Sequence, residues 1–224
     1  MLENIKKNLQ AWDQTYAWPK HGDEWDGQAA LCGLPYATWK ESMVQHLLVP
    51  HIDNRSHVLE IAPGHGRWTE YLVKLAGHVT VVDLSPTCLD YCRNRFQAHR
   101  NIDYVLTPGD RLPGCADGGI DFVWSYDSFV HMDRHVIRAY LGEIRRVLKS
   151  GGSAIVHHSN VEDPATHQQD AALGWRSAMN ADLFRELAQD AGLTVVSQFT
   201  YWDDENKVDS PRFGDRFTQM KREG

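Results

Sequence analysis

From residue 57 onward the chain alternates short apolar runs with amphipathic ones, and this alternation limits the fold more than any other feature. "HVLEIA" (57–62), "HVTVVDL" (78–84), "IDYVLT" (102–107), "IDFVWSY" (120–126) and "SAIVHH" (153–158) have the length and β-branched content of buried strands. Helical spacing separates them. Trp68, Tyr71, Leu72 and Leu75 form one stripe; Val136, Ile137, Tyr140, Leu141, Ile144, Val147 and Leu148 form another. Ser85 before Pro86, Asp133 and Asn180 are expected N-caps, while Gly77 and Gly151 are expected stops. Strands joined by helices pair in parallel and are covered on both faces, which predicts an α/β, Rossmann-like, doubly wound sheet. After a last helix from Asn180 to Ala191, "LTVVSQFTYW" (193–202) and "RFTQMKR" (216–222) follow with no helix between them, so a terminal antiparallel hairpin is expected.

The first 50 residues read differently. Leu2, Ile5, Leu9, Trp12 and Tyr16 repeat at helical spacing up to Pro19, and Tyr36, Trp39, Met43 and Leu47 repeat up to Pro50. The polar stretch "KHGDEWDGQ" between them is a loop. Residues 1–50 are therefore read as a helical lid and 51–224 as the sheet domain. Trp12, Trp18, Trp25 and Trp39, half of the 8 tryptophans, crowd into this lid, with Trp18 and Trp25 the expected substrate contacts.

A net charge of -7 disfavours nucleic acid as a partner, because a phosphate backbone asks for a basic face. No apolar run approaches the roughly 20 residues of a membrane span, and "MLENIKKNLQAWDQ" lacks the continuous apolar segment expected of a secretory signal. Cys32, Cys88, Cys92 and Cys115 are too scattered for a disulfide framework, and Cys88 and Cys92 read as packing residues. A cytoplasmic protein acting on a small molecule is expected.

Open α/β sheets bind ligands at the carboxyl ends of their strands. The first such turn is "EIAPGHGRW", in which Gly64 and Gly66 let the backbone turn tightly and approach a ligand. Thr69 stands where a dinucleotide fingerprint would want a third glycine. Asp83, at the end of the second strand beside Leu84, can accept two hydrogen bonds from a ribose diol. In "PGDRL" Asp110 can accept from an exocyclic amine while Leu112 lies against the ring.

Taken in order, "VLEIAPGHGRW", "VTVVDLSP", "PGDRL", "IDFVWSYDSFVHMD" and "RRVLKSGGSAIVHHSN" resemble the class I S-adenosylmethionine-dependent methyltransferases. The resemblance covers roughly residues 50 to 222. It implies a seven-stranded sheet whose last strand is antiparallel. It also implies that Glu60, Ala62, Gly64 and Gly66 line the methionine moiety of the cofactor, with Asp83 and Leu84 at the ribose. Asp110, Arg111 and Leu112 would flank the adenine, and Tyr126 and Asp127 would lie beside the methyl donor.

A sulfonium methyl group is already electrophilic, so the protein must mainly align the acceptor and, for a hydroxyl, remove its proton. Histidine suits that task. His131, His157 and His158 sit at the ends of the fourth and fifth strands. Neighbours in a strand face opposite ways, so at most one of the pair points at the cleft. His158 is expected to, as base, with His131 and Asp127 as further catalytic candidates and Asn160 and Arg176 as substrate contacts. An oxygen acceptor is expected, and a small amine is the alternative. A Mg²⁺ site from Asp127, His158 and Asn160 is conceivable but not favoured, because magnesium prefers oxygen ligands. A nucleotide-dependent oxidoreductase and a non-catalytic cofactor-binding module are the rival classes.

Overall fold

A computed structural model describes residues 2–23, 26–168, 175–203, 208–209 and 214–224. The strands β1 (His57–Ile61), β2 (His78–Asp83), β3 (Ile102–Leu106), β4 (Ile120–Ser125), β5 (Leu148–His158), β6 (Thr194–Phe199) and β9 (Arg216–Lys221) form one sheet of order β3-β2-β1-β4-β5-β9-β6. Pairings from β3 across to β5 are parallel, and β9 is antiparallel to both β5 and β6. The sheet is the doubly wound architecture that the alternation predicts, with its terminal hairpin. The run 193–202 does not stay one strand: a register shift between Val195 and Ser197 bends it, and β7 (Tyr201–Asp203) leaves to pair with β8 (Val208–Asp209) in a separate ribbon.

The helices are α1 (Glu3–Leu9), α2 (Asp26–Leu31), α3 (Tyr36–Met43), α4 (Thr69–Leu75), α5 (Pro86–Arg95), α6 (Arg134–Val147) and α7 (Ala181–Asp190). Three caps form as expected. Ser85 Oγ accepts from Cys88 N–H, Asp133 accepts from His135 and Val136, and Asn180 accepts from Leu183. Gly77 does another job. It is not left-handed, but a Cβ there would meet Asn54 O at 2.6 Å, so the residue is needed for close backbone approach.

The pleat divides the core in two. Val58, Phe122, Trp124, Ile155 and Phe217 face one side, where Trp39, Met43, Leu72 and Leu89 cover them. Leu59, Ile61, Val123, Ala154 and Val156 face the other, under Ile137, Leu141 and Ile144 of α6 and Phe184 and Leu187 of α7. Trp39 is thus a core residue, fully buried. Burying a large side chain of this kind contributes roughly 1.5–3 kcal/mol, so α3 is fixed to the sheet by packing. Among the described residues no helix is long and apolar enough to cross a membrane.

Candidate active site at the carboxyl edge of the sheet

The loop after β1 is built from left-handed residues: Ala62 (φ 59), Gly64 (φ 55) and Gly66 (φ 82). At Gly66 a Cβ would lie 2.5 Å from the Phe96 ring, so only glycine lets the loop settle on the end of α5. Asp83 fixes the other side. Its Oδ2 accepts from Gly64 N–H at 3.2 Å and its Oδ1 from Ser85 N–H at 2.8 Å. Each oxygen keeps a further lone pair, so the carboxylate can still receive two hydroxyl groups. Burial pushes its pKa up to about 6 against the backbone N–H groups of Ser85, Gly64 and Leu84, which favour the charged form. Glu60 lies below the loop, buried, and accepts from Thr69 Oγ1. Thr69, in the place of the third glycine, therefore serves as its partner. Burial raises Glu60 to about 8, which leaves the carboxyl protonated at neutral pH.

After β3, Gly109 is left-handed (φ 98) and Thr107 Oγ1 accepts from its N–H. Asp110 Oδ1 is buried without a hydrogen bond among the described residues. Arg111 Nε lies 3.3 Å away in an ion pair but is not aligned to donate. An acceptor atom buried in this way calls for a donor such as an amine. Arg111 itself is exposed, Leu84 is half-buried, and Leu112 is buried in the core under α6.

The N-terminal segment lies across this whole edge. Ile5 packs on Gly109, Asn4 and Asn8 donate to His131 O at 3.1 Å, and Trp12 packs on the His131 ring at 4.8 Å. Asp13 accepts from Ser85 Oγ and Thr87 Oγ1 at 2.7 Å, bonds that lower its pKa. Trp18 donates to Trp12 O, stacks on His65, and sits over Gly64. The cavity left beneath it, between Trp18, Ala62, Gly64, Arg67, Tyr126 and Asp127, has a volume of ≈ 40 Å³. The cavity is partly open to solvent, so this N-terminal strap narrows the site from one side.

On the far side of the glycine loop Tyr126 and Asp127 line the cavity, and His131 is buried outside that lining, packed on Trp12. Asp127 is left-handed (φ 60) and lines the cavity. His131 Nδ1 lies 3.3 Å from Trp175 O. A carbonyl only accepts, so Nδ1 carries the proton and Nε2 keeps its lone pair. Burial lowers its pKa to about 4, although the Asp127 charge opposes the shift, and the ring is neutral at pH 7.

Several expected site residues are placed elsewhere. His158 shares the parity of Ala154 and Val156 and so points to the α7 side. It stacks on Phe184 at 3.9 Å, with Nδ1 2.8 Å from Ser159 O and Nε2 2.7 Å from Thr218 Oγ1. His157 has the parity of Ile155 and takes the cleft side, against Tyr126 at 4.5 Å. The pleat separates the pair as expected, but with the opposite assignment. Asn160 Oδ1 accepts from Ala181 N–H at the start of α7. Arg176 is buried, paired with Asp215 at 2.6 Å and 3.6 Å from Asp127. Trp25 lies outside the described residues. With His158 and Asn160 so engaged, a Mg²⁺ site built from them and Asp127 does not fit, and no metal-ligand cluster of His, Cys, Asp or Glu occurs among the described residues.

Asp13, Arg67 and Asp215 complete the edge without having been expected there. The antiparallel start of β9 pairs with the carboxyl end of β5 (His158 with Arg216), which brings Asp215 beneath the cleft, beside His157 and Arg176. A hairpin read from sequence carries that signal. Arg67 follows the glycine loop directly, and nothing in Gln10–Thr15, the turn that continues α1, marks Asp13.

The model of the methyltransferase domain family matches residues 58–152. A demethylmenaquinone methyltransferase of Tropheryma whipplei is 33% identical over 126 residues, 56% of this chain and 50% of that protein, so the match spans half of the relative's length. The fold is shared with a geranyl diphosphate C-methyltransferase from Streptomyces coelicolor A3(2), solved with Mg²⁺, geranyl diphosphate and S-adenosyl-L-homocysteine. The TM-score is 0.66 at 14% identity, over 99% of this chain and 98% of that one. It is also shared with the N-methyltransferase NodS from Bradyrhizobium japonicum, solved with S-adenosyl-L-homocysteine, with TM-score 0.66 and 14% identity over 98% and 99% of the two chains.

Proposed function

We propose, from the premise that residues 58–152 are a methyltransferase domain on the class I fold, that the chain transfers a methyl group from S-adenosylmethionine to a hydroxyl of a small molecule. The observation that carries the cofactor assignment is Asp83. Its carboxylate is held at the end of β2 by two backbone N–H groups, with one lone pair per oxygen left for a ribose diol. The buried, hydrogen-bond-free oxygen of Asp110 suits an adenine amine, and the left-handed turn at Ala62, Gly64 and Gly66 gives the methionine end access to backbone. S-adenosylmethionine supplies an electrophilic methyl group when bound. The chain's own work is to align the acceptor, exclude water under the strap and take up a proton.

His131 is the base of this proposal. Its tautomer, set by the Trp175 carbonyl, leaves Nε2 able to accept a proton, and Asp127 stabilises the resulting cation. His158 does not take that part, because both of its nitrogens are occupied on the α7 side. Trp18 and the strap cover the site while Tyr126 and Asp127 floor the acceptor side. The net charge of -7 argues against nucleic acid and leaves a small acceptor, which can enter beside Trp18. The test is a screen of sugars, phenols and small amines for production of S-adenosylhomocysteine. Turnover with a hydroxyl acceptor that falls at least about a hundredfold in His131→Gln supports the reading; turnover with amines alone, untouched by that change, overturns the oxygen assignment.

A further inference from the structure

Beneath Tyr126 and Asp127, His157, Asp215 and Arg176 form a chain of buried polar groups that starts and ends at Asp127, and none of the three takes part in the proposed proton transfer. Asp127 N–H donates to His157 Nδ1 at 3.2 Å. A ring nitrogen that accepts from an amide carries a lone pair, so in the neutral ring the proton is on Nε2. That nitrogen lies 3.6 Å from Asp215 Oδ2. Asp215 takes Arg176 as a fork, Nε at 3.1 Å and the terminal nitrogen at 2.6 Å on the same oxygen, and Arg176 reaches back to Asp127 Oδ1 at 3.6 Å. Backbone, imidazole, carboxylate, guanidinium and carboxylate thus follow one another back to Asp127, with hydrogen bonds at the first and third steps and charge contacts of 3.6 Å at the other two. His157, Asp215 and Arg176 are all at least nine-tenths buried.

The circuit explains two features at once. Asp127 holds a left-handed backbone (φ 60) at a residue with a side chain, a conformation that persists when its surroundings fix it. Its N–H is fixed by His157 and its carboxylate is approached by Arg176, so both ends of the residue are gripped. The Tyr126 ring is stacked on His157 with planes 14° apart, so the same imidazole also sets the neighbouring cavity wall. Burial and the adjacent Arg176 keep His157 neutral, which preserves the acceptor at Nδ1. The three members come from the end of β5, the segment before α7 and the start of β9. The C-terminal hairpin therefore reports directly on the cleft.

We propose that His157, Asp215 and Arg176 are positioning residues: they hold the left-handed peptide of Asp127 and the Tyr126 ring at the acceptor side of the cleft, with His157 serving as a hydrogen-bond acceptor and not as a base. The kinetic part rests on the methyltransferase reading; the tautomer does not. An Asn side chain can put its amide oxygen near the site of Nδ1, and a Gln side chain reaches toward Nε2. His157→Asn is therefore expected to keep kcat within about fivefold, whereas His157→Gln loses about thirtyfold or more, with the KM for cofactor little changed in both. Asp127→Asn keeps the backbone N–H but removes the carboxylate that the peptide positions, so in that background the Gln change should cost markedly less than in the wild type, the remainder acting through Tyr126. Equal losses in the two His157 variants, or effects that multiply with Asp127→Asn, overturn the proposal. Asp215→Asn replaces His157→Gln in the cycle if the latter does not fold, with the same non-additivity expected. Nitrogen-15 NMR of the wild-type ring should show Nδ1 unprotonated and Nε2 protonated, unchanged from about pH 5.5 to 8. A protonated Nδ1 overturns the circuit. A protein that passes this NMR test yet methylates no acceptor sinks the functional reading and leaves the circuit standing.

Discussion

Replacing Gly64 by alanine tests whether the N-terminal strap is docked on the glycine loop. Two costs are separable. The backbone is left-handed there (φ 55), which burdens an alanine by roughly 1–2 kcal/mol. The new Cβ would also lie 2.6 Å from Trp18 Cη2 and 2.7 Å from Cζ3. Ordinary carbon contacts begin near 3.5 Å, so the indole has to withdraw by about 1 Å. It cannot do so freely, because it stacks on His65, which stacks in turn on Tyr91, and its N–H is bonded to Trp12 O. Weakening one aromatic pair and one hydrogen bond adds about 1–2 kcal/mol. Gly64→Ala should therefore destabilise the protein by about 2–4 kcal/mol in urea unfolding, but only by the backbone share, about 1–2 kcal/mol, when Trp18 is already alanine. If the cost is the same in both backgrounds, Trp18 is not seated on Gly64 in solution, and the closed strap is refuted.

Three further outcomes follow from the site. His131→Gln should lower kcat about a hundredfold or more for a hydroxyl acceptor. Because the His131 pKa is depressed to about 4, the wild-type rate should show no histidine limb between about pH 5.5 and 7.5; a limb near 6.5 that vanishes in the variant contradicts this. His158→Ala should cost roughly 2–4 kcal/mol of stability, since it removes a buried ring stacked on Phe184, yet leave kcat within a few-fold of wild type; a hundredfold loss of kcat at unchanged stability would return the base to His158. Glu60 has a folded-state pKa of about 8 against an ordinary 4.5, so the native protein holds a proton that the unfolded chain has released. Stability then falls as pH rises through that window, by at most about 1.4 kcal/mol per unit. Measured against Glu60→Gln in urea, the cofactor-free wild type should lose stability from pH 6.5 to 8, because the buried neutral histidines contribute equally to both proteins; a difference that stays constant over that range refutes the raised Glu60 pKa.

Much of the fold is legible because the physics that sets it is local. The runs around Val58, Val81, Val123 and Ile155 are buried on both faces, so they are apolar throughout, and the caps Ser85, Asp133 and Asn180 announce their helices. Asp83 is legible too, because a strand end followed by a helix N-cap leaves few orientations for its carboxylate. His157 and His158 are not. Alternation says that they part but not which way each goes, and that is decided by the register of β5 against Trp124 and by the position of α7, both long-range facts. Arg176 looks like a free clamp in sequence because its partner, Asp215, is 39 residues away. Gly77 reads as a helix stop, whereas its reason lies in the backbone of Asn54 packed against it.

Isothermal titration of the wild-type protein and Asp83→Asn with S-adenosylmethionine, S-adenosylhomocysteine and NAD addresses the central claim most directly. An amide in place of the carboxylate loses one acceptor oxygen, so the variant should bind about ten- to a hundredfold more weakly, the equivalent of one hydrogen bond to a charged group. The wild-type affinity should also weaken as pH falls through about 6, where the Asp83 carboxylate takes up its proton, and the variant should lack that dependence. Binding of both sulfur ligands with this pattern and none of NAD is the predicted result. NAD binding without the sulfonium, or sulfonium binding indifferent to Asp83, would contradict the account.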